Sequence, residues 1–363
     1  MSCTEADKIK QTWLTPESQP GDRLPTERAL EVHFQVSRTT ISRALAALEA
    51  EGLIEMRRGS GAYVREKTLA PPSEFQMIGF IAPHLPPKEE LQNPVLQRIG
   101  FGVERRASEL GYQALMASSQ FSLTHEIQLI EQFIQMGVAG IVLYPTRHLS
   151  DSTDPLETRW REFPLVLADI GSATWGRSMV QIDNFRLGHD LTNVLLRHGH
   201  RNIAFLRSHS AHLHNSVTDR QRGWEVAHTR AGLTIPESYH GWPASLALAQ
   251  GSSQEDCAEA IVEELLKLSP RPDAIIAWDD PMAIALIGAL QRNGIAVPEE
   301  VRVAGFDNYE AGRFFQPPFP TTAPEFIRLG ETAVELLDEQ IRGLTTPPRT
   351  ILLSATIHPR GIL

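Results

Sequence analysis

The chain has 363 residues, enough for two or three domains at the usual ~100–200 residues each. Hydrophobic residues make up 42% and charged residues 21%, which fits a globular protein and excludes a wholly disordered one. The 34 Lys+Arg against 44 Asp+Glu leave a formal net charge of -10, so the chain as a whole is no basic nucleic-acid coat. Two cysteines, Cys3 and Cys257, supply neither a disulfide framework nor a zinc signature. Apolar runs such as Val138 to Tyr144 are far short of the ~20 residues a membrane helix needs. The N-terminal residues MSCTEADKIKQTW are mixed in charge with no apolar centre, so a cytoplasmic protein without membrane contact is expected.

The first 66 residues and the rest read differently. Pro25-Thr26-Glu27-Arg28 opens a helix with Pro in the first turn and acid near the positive dipole end. That helix runs to about Phe34. Gln35-Val36 then turns the chain, and Ser37 caps a second helix. Ile41, Leu45 and Leu48 form one apolar stripe on it, and Gly52 ends it. Leu53–Met56, a turn at Arg57–Gly61 and Ala62–Val64 read as a small hairpin. Two helices at a tight turn followed by a hairpin describe a winged helix-turn-helix.

The N-terminal 66 residues hold 9 Lys+Arg against 10 acids, yet Ser37–Arg43 and Met56–Arg65 carry two and three Arg with no acid. Positive charge is therefore concentrated where a recognition helix starts and where a wing turns, and phosphate contacts are short-range at cellular salt. Arg38 is placed for bidentate contact to guanine or for clamping phosphate, with Ser37, Thr39 and Thr40 offering hydroxyls beside it. Arg28 is placed to hold the backbone, and Arg58 with Gly59 makes a wing tip that approaches the duplex closely. A small helical interaction domain with solvated arginines is the plain alternative.

The segment GDRLPTERALEVHFQVSRTTISRALAALEAEGLIEMRRGSGAYV (Gly21–Val64) closely resembles the DNA-binding head of the GntR family of bacterial transcriptional regulators. The resemblance implies DNA contact at Arg28, Ser37, Arg38, Thr39, Thr40, Arg58 and Gly59. Where the family usually has Arg two residues after the second Thr, this chain has Ser42 followed by Arg43. Arg43 is turned about 100° round the helix from that site, which leaves its part in base reading open.

Glu66–Gln76 contains Pro71-Pro72 and reads as an extended connector. The expected domains are thus a winged helix at 1–66, a linker at 67–76 and an α/β domain at 77–363. In that last block apolar runs recur at Met77–Ala82, Gln113–Ala117, Gly140–Tyr144, Leu165–Ala168, Ile203–Leu206, Ala274–Ala277 and Val301–Phe306. Helical patterns lie between many of them, at Val95–Leu110, Leu123–Met136, Leu187–His198 and Pro281–Asn293. This alternation predicts parallel sheets flanked by helices, and nearly 300 residues of it predict two lobes.

Asp169, Trp278-Asp279-Asp280 and Asp307 each follow a predicted strand, at the carboxyl ends where α/β sheets bind ligands. Arg220 lies between a strand and the helix of Gly223-Trp224. Carboxylates, one Arg and an aromatic suit a polyhydroxylated ligand: acceptors for hydroxyls, a fork donor and a stacking face. Asp after a strand is also a frequent helix cap, and Asp280 before Pro281 reads as one. The same ambiguity holds for Asp169, Asp279 and Asp307, and Trp278 also fits a core. Paired acids are compatible with glycoside hydrolysis, which needs a carboxyl separation that sequence does not give. No nucleophile, zinc-protease or phosphate-loop signature stands in a suitable context, so no enzyme, cofactor or metal is expected. His209, His212 and His214 read as a solvated loop, with a metal site as the weaker alternative.

Met77 to about Pro359 then resembles the effector domain of the LacI–GalR family, related to periplasmic sugar-binding proteins. The matching pieces are NPVLQRIGFGVERRASELGY (Asn93–Tyr112), HGHRNIAFL (His198–Leu206), DRQRGWEVAHTRAGL (Asp219–Leu233) and the long run from Pro272 to Thr322. By that resemblance the effector residues are Asp169, Arg220, Asp279 and Asp307, with Trp278 and Phe326 as apolar or stacking walls. The first lobe spans about 77–180 and 325–343, and the second about 181–324 and 344–363. The family usually has Asn where this chain has Asp279, and an acceptor-only carboxylate changes hydroxyl recognition. The family's hinge helix is replaced here by the Pro-containing linker, as in the arabinose-repressor class that combines these two parts. The expectation is a homodimeric repressor that binds a DNA operator and is controlled by a small ligand, most simply a monosaccharide. A sugar-binding or sugar-acting protein without a DNA role is the alternative.

Overall fold

The computed structural model describes residues 5–13, 21–50, 54–57, 60–64, 76–83, 94–146, 159–171, 175–206, 215–239, 253–344 and 347–362. The chain separates into two compact units, Met1–Glu74 and Phe75–Leu363. Residues 67–75 of the expected linker and the histidine loop at 209–214 lie outside the described residues.

The smaller unit contains α1 (Glu5–Trp13), α2 (Glu27–Phe34), α3 (Arg38–Ala50), β1 (Ile54–Arg57) and β2 (Gly61–Val64). Thr26 caps α2, its Oγ1 accepting the Ala29 N–H at 3.3 Å. Pro25 therefore precedes the cap instead of occupying the first turn as expected, because Thr supplies the oxygen the helix end needs. Gln35 ends α2 in left-handed backbone (φ 54°), and Ser37 caps α3 by accepting the Thr40 N–H at 3.3 Å. Ile41, Leu45 and Leu48 point into the core together with Leu30. α1, in a segment with no apolar stripe to announce it, plugs that core with Ile9. β1 and β2 pair antiparallel from Ile54↔Val64 to Arg57↔Gly61, and Arg23 makes an isolated antiparallel bridge to Tyr63.

All seven apolar runs of the larger unit are strands. Its elements in order are β3 (Gln76–Ala82), α4 (Pro94–Glu109), β4 (Tyr112–Ser118), α5 (Leu123–Gln135), β5 (Ile141–Leu143), β6 (Leu165–Ala168) and β7 (Ser178–Ile182). There follow α6 (Asn184–Arg197), β8 (Ile203–Phe205), α7 (Asn215–Arg230), α8 (Gln254–Leu265), β9 (Ala274–Ile276) and α9 (Asp280–Arg292). The chain closes with β10 (Arg302–Ala304), α10 (Glu310–Phe314), β11 (Thr321–Pro324), α11 (Phe326–Ile341), β12 (Thr350–Leu353) and β13 (Ala355–His358).

Two parallel sheets result, one in each lobe. The first has strand order β12-β7-β6-β5-β3-β4, the second β10-β9-β8. Alternating side chains of β3 serve opposite faces of the first sheet. Ile78, Phe80 and Ala82 join the core beneath α4 and α11, while Ile81 packs with Leu129, Ile130 and Phe133 of α5. In the second sheet Phe205 and Ile276 meet Leu191 of α6 and Trp224 of α7, and Ala204 and Ile275 meet α8 and α9. Among the described residues no helix is long and apolar enough to cross a membrane.

One expected boundary changes. Residues 344–363 do not all belong to the second lobe, because β12 runs parallel beside β7 and widens the first sheet. Only after Ser354 does the chain pair antiparallel with β11, from Thr321↔His358 to Pro324↔Ala355. β12 is thereby the edge strand of the first sheet, with Ile351 and Leu353 half-buried and Thr350 and Leu352 exposed.

Candidate functional site

Arg220, on α7, is the centre of the cleft residues. It is 7% exposed, and every guanidinium nitrogen has a partner. Nε donates to Asn184 Oδ1 at 2.8 Å, Nη1 to the Trp278 carbonyl at 3.2 Å and Nη2 to Asp307 Oδ1 at 3.1 Å. Its guanidinium carbon lies 4.4 Å from the centroid of the Phe306 ring. Arginine is suited to this because its planar fork engages several acceptors at fixed angles.

The carboxylates come from strand ends. Asp169 follows β6 in left-handed backbone (φ 63°), with its N–H donating to the Val180 carbonyl at 2.7 Å. Its Oδ1 is buried without a hydrogen-bond partner. Burial raises its pKa to about 6, opposed by Arg220 and assisted by the negative charge of Asp307. Asp307 follows β10 at φ 81°, and burial raises its pKa against the pull of Arg220. Tyr144, past the end of β5, has its phenol pushed up by burial and by the nearby Asp169 and Asp307 charges. Strand ends of β5, β6, β9 and β10 thus meet around one arginine, as the topology of parallel α/β sheets dictates.

The structure brings Asp169, Arg220 and Asp307 together and places Asp279 in electrostatic reach of Arg220 and Asp307. The cap assignment reverses: Asp279, not Asp280, caps α9, its Oδ1 accepting the Met282 N–H at 2.8 Å. Asp280 is the first helical residue and fully buried, accepting from Thr321 Oγ1 at 2.5 Å and the Tyr309 N–H at 2.9 Å. Trp278 offers its carbonyl to Arg220, while its half-buried ring packs against the second lobe's core. Phe326 is 3% exposed in the apolar core at the start of α11, and the aromatic face against Arg220 belongs to Phe306. Asn184, Tyr144 and Phe306 are additions to the expected set. Phe306 lies one residue before Asp307, and Asn184 directly follows the capping Asp183, so both stood beside recognisable signals.

In the smaller unit Arg28, Ser37, Arg38, Thr39 and Arg43 are exposed, Thr40 half-buried. Ser37 Oγ lies 3.1 Å from Thr39 Oγ1 and 2.9 Å from Thr40 Oγ1, gathering three hydroxyls at the start of α3. Arg38 Nε pairs with Glu27 at 3.2 Å, but the Arg38 side chain is 79% exposed, so the pair contributes little and leaves the guanidinium accessible. Arg28 and Arg38 line a groove of about 490 Å³ with Arg23 and Ser60. Arg23 and Arg57, absent from the expected set, flank the Tyr63 ring at 5.9 and 4.6 Å and add positive charge to the hairpin side. Arg58 and Gly59 lie outside the described residues.

Comparison with known proteins agrees with this division. Residues 6–64 match the family described as bacterial regulatory proteins, gntR family, and residues 192–361 match the periplasmic binding protein-like domain. The arabinose metabolism transcriptional repressor of Geobacillus stearothermophilus is 25% identical over 342 residues, 91% of this chain and 88% of that protein. The HTH-type transcriptional repressor PurR of Aliivibrio fischeri (strain MJ11) is 30% identical over 254 residues, 69% of this chain and 72% of that protein. A regulatory protein of the LacI family from Chloroflexus aggregans superposes with a TM-score of 0.65 at 24% identity, covering 78% of this chain and 97% of that one. A GntR-type head, a periplasmic-binding-protein-like body and repressor relatives along most of the length leave one assignment: the chain belongs to the bacterial transcription regulators that join a GntR-type DNA-binding head to a LacI–GalR-type effector domain.

Proposed function

We propose that the protein is a homodimeric repressor whose head, 1–66, binds an operator through Arg28, Ser37, Arg38, Thr39, Thr40, Arg43, Arg58 and Gly59. The linker is 67–76 and the effector domain 77–363. Its cleft takes a monosaccharide between the lobes, on Asp169, Arg220, Asp279 and Asp307, with Trp278 and Phe326 nearby. The observation that carries this reading is the Arg220 fork bound to Asn184, Trp278 and Asp307 beside a buried Asp169 oxygen without a partner. A ring of hydroxyls supplies donors for that oxygen and acceptors for the fork's remaining N–H groups. The relative named for arabinose metabolism makes pentoses the first class to try.

The test separates the two halves of the reading. A thermal-shift panel of pentoses, hexoses, uronates and sugar phosphates on the full chain identifies the ligand, since a binder at 100 times its Kd adds about 2.7 kcal/mol. Operator sequences come from selection against random DNA. Arg220→Ala is expected to abolish the shift and keep DNA binding. Arg38→Ala is expected to keep the shift and weaken operator binding by about 10- to 100-fold, the worth of one good base or phosphate contact. A flat panel on a folded protein, or loss of both activities in both variants, overturns the reading.

A further inference from the structure

One contact joins the lobes at the proposed cleft without belonging to the expected ligand set. Arg98 stands on α4 in the first lobe, between the buried Leu96 and Ile99. Its Nη1 donates to the Asp307 carbonyl at 3.1 Å and its Nη2 to the Asn308 carbonyl at 3.2 Å, both on the second lobe. Asp307 and Asn308 are consecutive non-glycine residues in left-handed backbone, φ 81° and 48°. Such strain persists only where the surroundings over-determine it, and it gathers at ligand clamps and switches.

From the second lobe, Arg220 holds the Asp307 carboxylate at 3.1 Å and Arg360 holds Asn308 Oδ1 at 2.6 Å. The Asn308 N–H donates to Thr321 Oγ1 at 3.4 Å. The turn is thereby held with two successive carbonyls presented to one planar fork, which a lysine's point charge does not match. Three residues along α4, on the next turn, Phe101 is 53% exposed.

We propose that Arg98 is a positioning residue that latches the first lobe onto the ligand-binding turn, so that the state of Asp307 is felt along α4. The inference rests on the proposed effector cleft for what closes the lobes, and its geometry stands without any ligand. A ligand that binds Asp307 steadies the turn that receives the fork, and the fork in turn favours the closed, ligand-competent arrangement. That reciprocity is what coupling requires.

The experiment compares the full-length wild type with Arg98→Met and Arg98→Lys. Without ligand, amide hydrogen exchange in Arg98→Met is expected to rise about 10-fold or more at residues 305–309 and 94–100. Strands β8 and β9 keep their protection, and Arg98→Lys falls between. Unchanged exchange at 305–309 overturns the latch; so does a rise spread equally over β8 and β9, which marks a merely structural residue. A second arm titrates L-arabinose, D-ribose, D-glucose and D-galactose. For any sugar the wild type binds, Arg98→Met is expected to weaken binding about 5-fold or more, whereas Arg220→Ala abolishes it. Equal affinity in Arg98→Met overturns the latch and leaves the sugar reading intact. If the wild type binds none of the four, the sugar reading loses its support while the exchange arm still decides the latch.

Discussion

Burial raises the pKa of Asp169 to about 6 and those of Asp279 and Asp280 to about 7, against an ordinary value near 3.8. Each carboxylate costs free energy when it ionises in the folded chain. Between these values the folded state holds protons that the unfolded state has released, so stability falls as pH rises from about 4 to about 7. His228 is lowered and pulls the other way in the upper part of this range, so the informative quantity is a difference between variants. Asp169→Asn removes a single titration and keeps the shape of the side chain. It is expected to flatten the pH dependence of unfolding by about 2 kcal/mol between pH 4 and pH 7, the part of a pKa displacement from 3.8 to about 6 that falls in that range. Chemical denaturation of the effector-domain transition at half-unit steps measures this. Parallel pH profiles for the variant and wild type would show that Asp169 is not an uncompensated buried acid.

Helices are seated in both lobes by glycines. On α4 and α11, a Cβ at Gly102 would strike the Ile327 carbonyl, and one at Gly330 the Ile99 carbonyl. On α6 and α7, Gly188 abuts the Arg220 carbonyl and Gly223 the Phe185 carbonyl. The second pair sets where Arg220 starts, so Gly188→Ala must push α7 away from Asn184. It is expected to cost about 1–3 kcal/mol of stability and to weaken ligand binding, while Gly288→Ala on α9, facing only the movable Arg292 side chain, is expected to be neutral or mildly stabilising. Denaturation midpoints and ligand titration check both; equal behaviour of the two variants sinks the argument. None of this spacing was readable beforehand, because a glycine's partner lies on another helix. The strand runs were readable, since Leu165–Ala168 or Ala274–Ile276 are uninterrupted apolar segments buried on both faces. β7 (SMVQI) and β11 (TTAP) were not, because Ser, Gln, Thr and Pro break the apolar signal. At the cleft, acids directly after strands announce themselves, whereas Arg98 is a helix residue whose partners lie some 210 positions away. Its role exists only in the folded chain.

At the scale of the molecule, the proposed homodimer needs a face where two copies meet. α4 carries Arg98 on one side and the exposed Phe101 on the next turn. Beside it β4 is the edge of the first sheet, with Met116 40% exposed, followed by Phe121 at 65% and Leu123 at 41%. Exposed large apolar side chains around a sheet edge are the usual mark of a partner surface. A twofold pairing there presents the same residues from both copies, so one charge introduced per chain appears twice at the interface. Phe101→Glu with Met116→Glu is therefore expected to yield monomers by sedimentation, still folded and still binding ligand. Two heads held together bind an inverted repeat with an effective concentration in the millimolar range, which multiplies affinity by about 10²- to 10⁴-fold over one head. The monomeric variant is expected to lose that factor on a two-half-site operator and to bind a single half-site as wild type does. If the double variant stays dimeric, or the wild type is itself monomeric, this face is not where the copies meet. If it is monomeric yet keeps full operator affinity, the heads act singly, and coupling from the cleft to DNA must run within one chain.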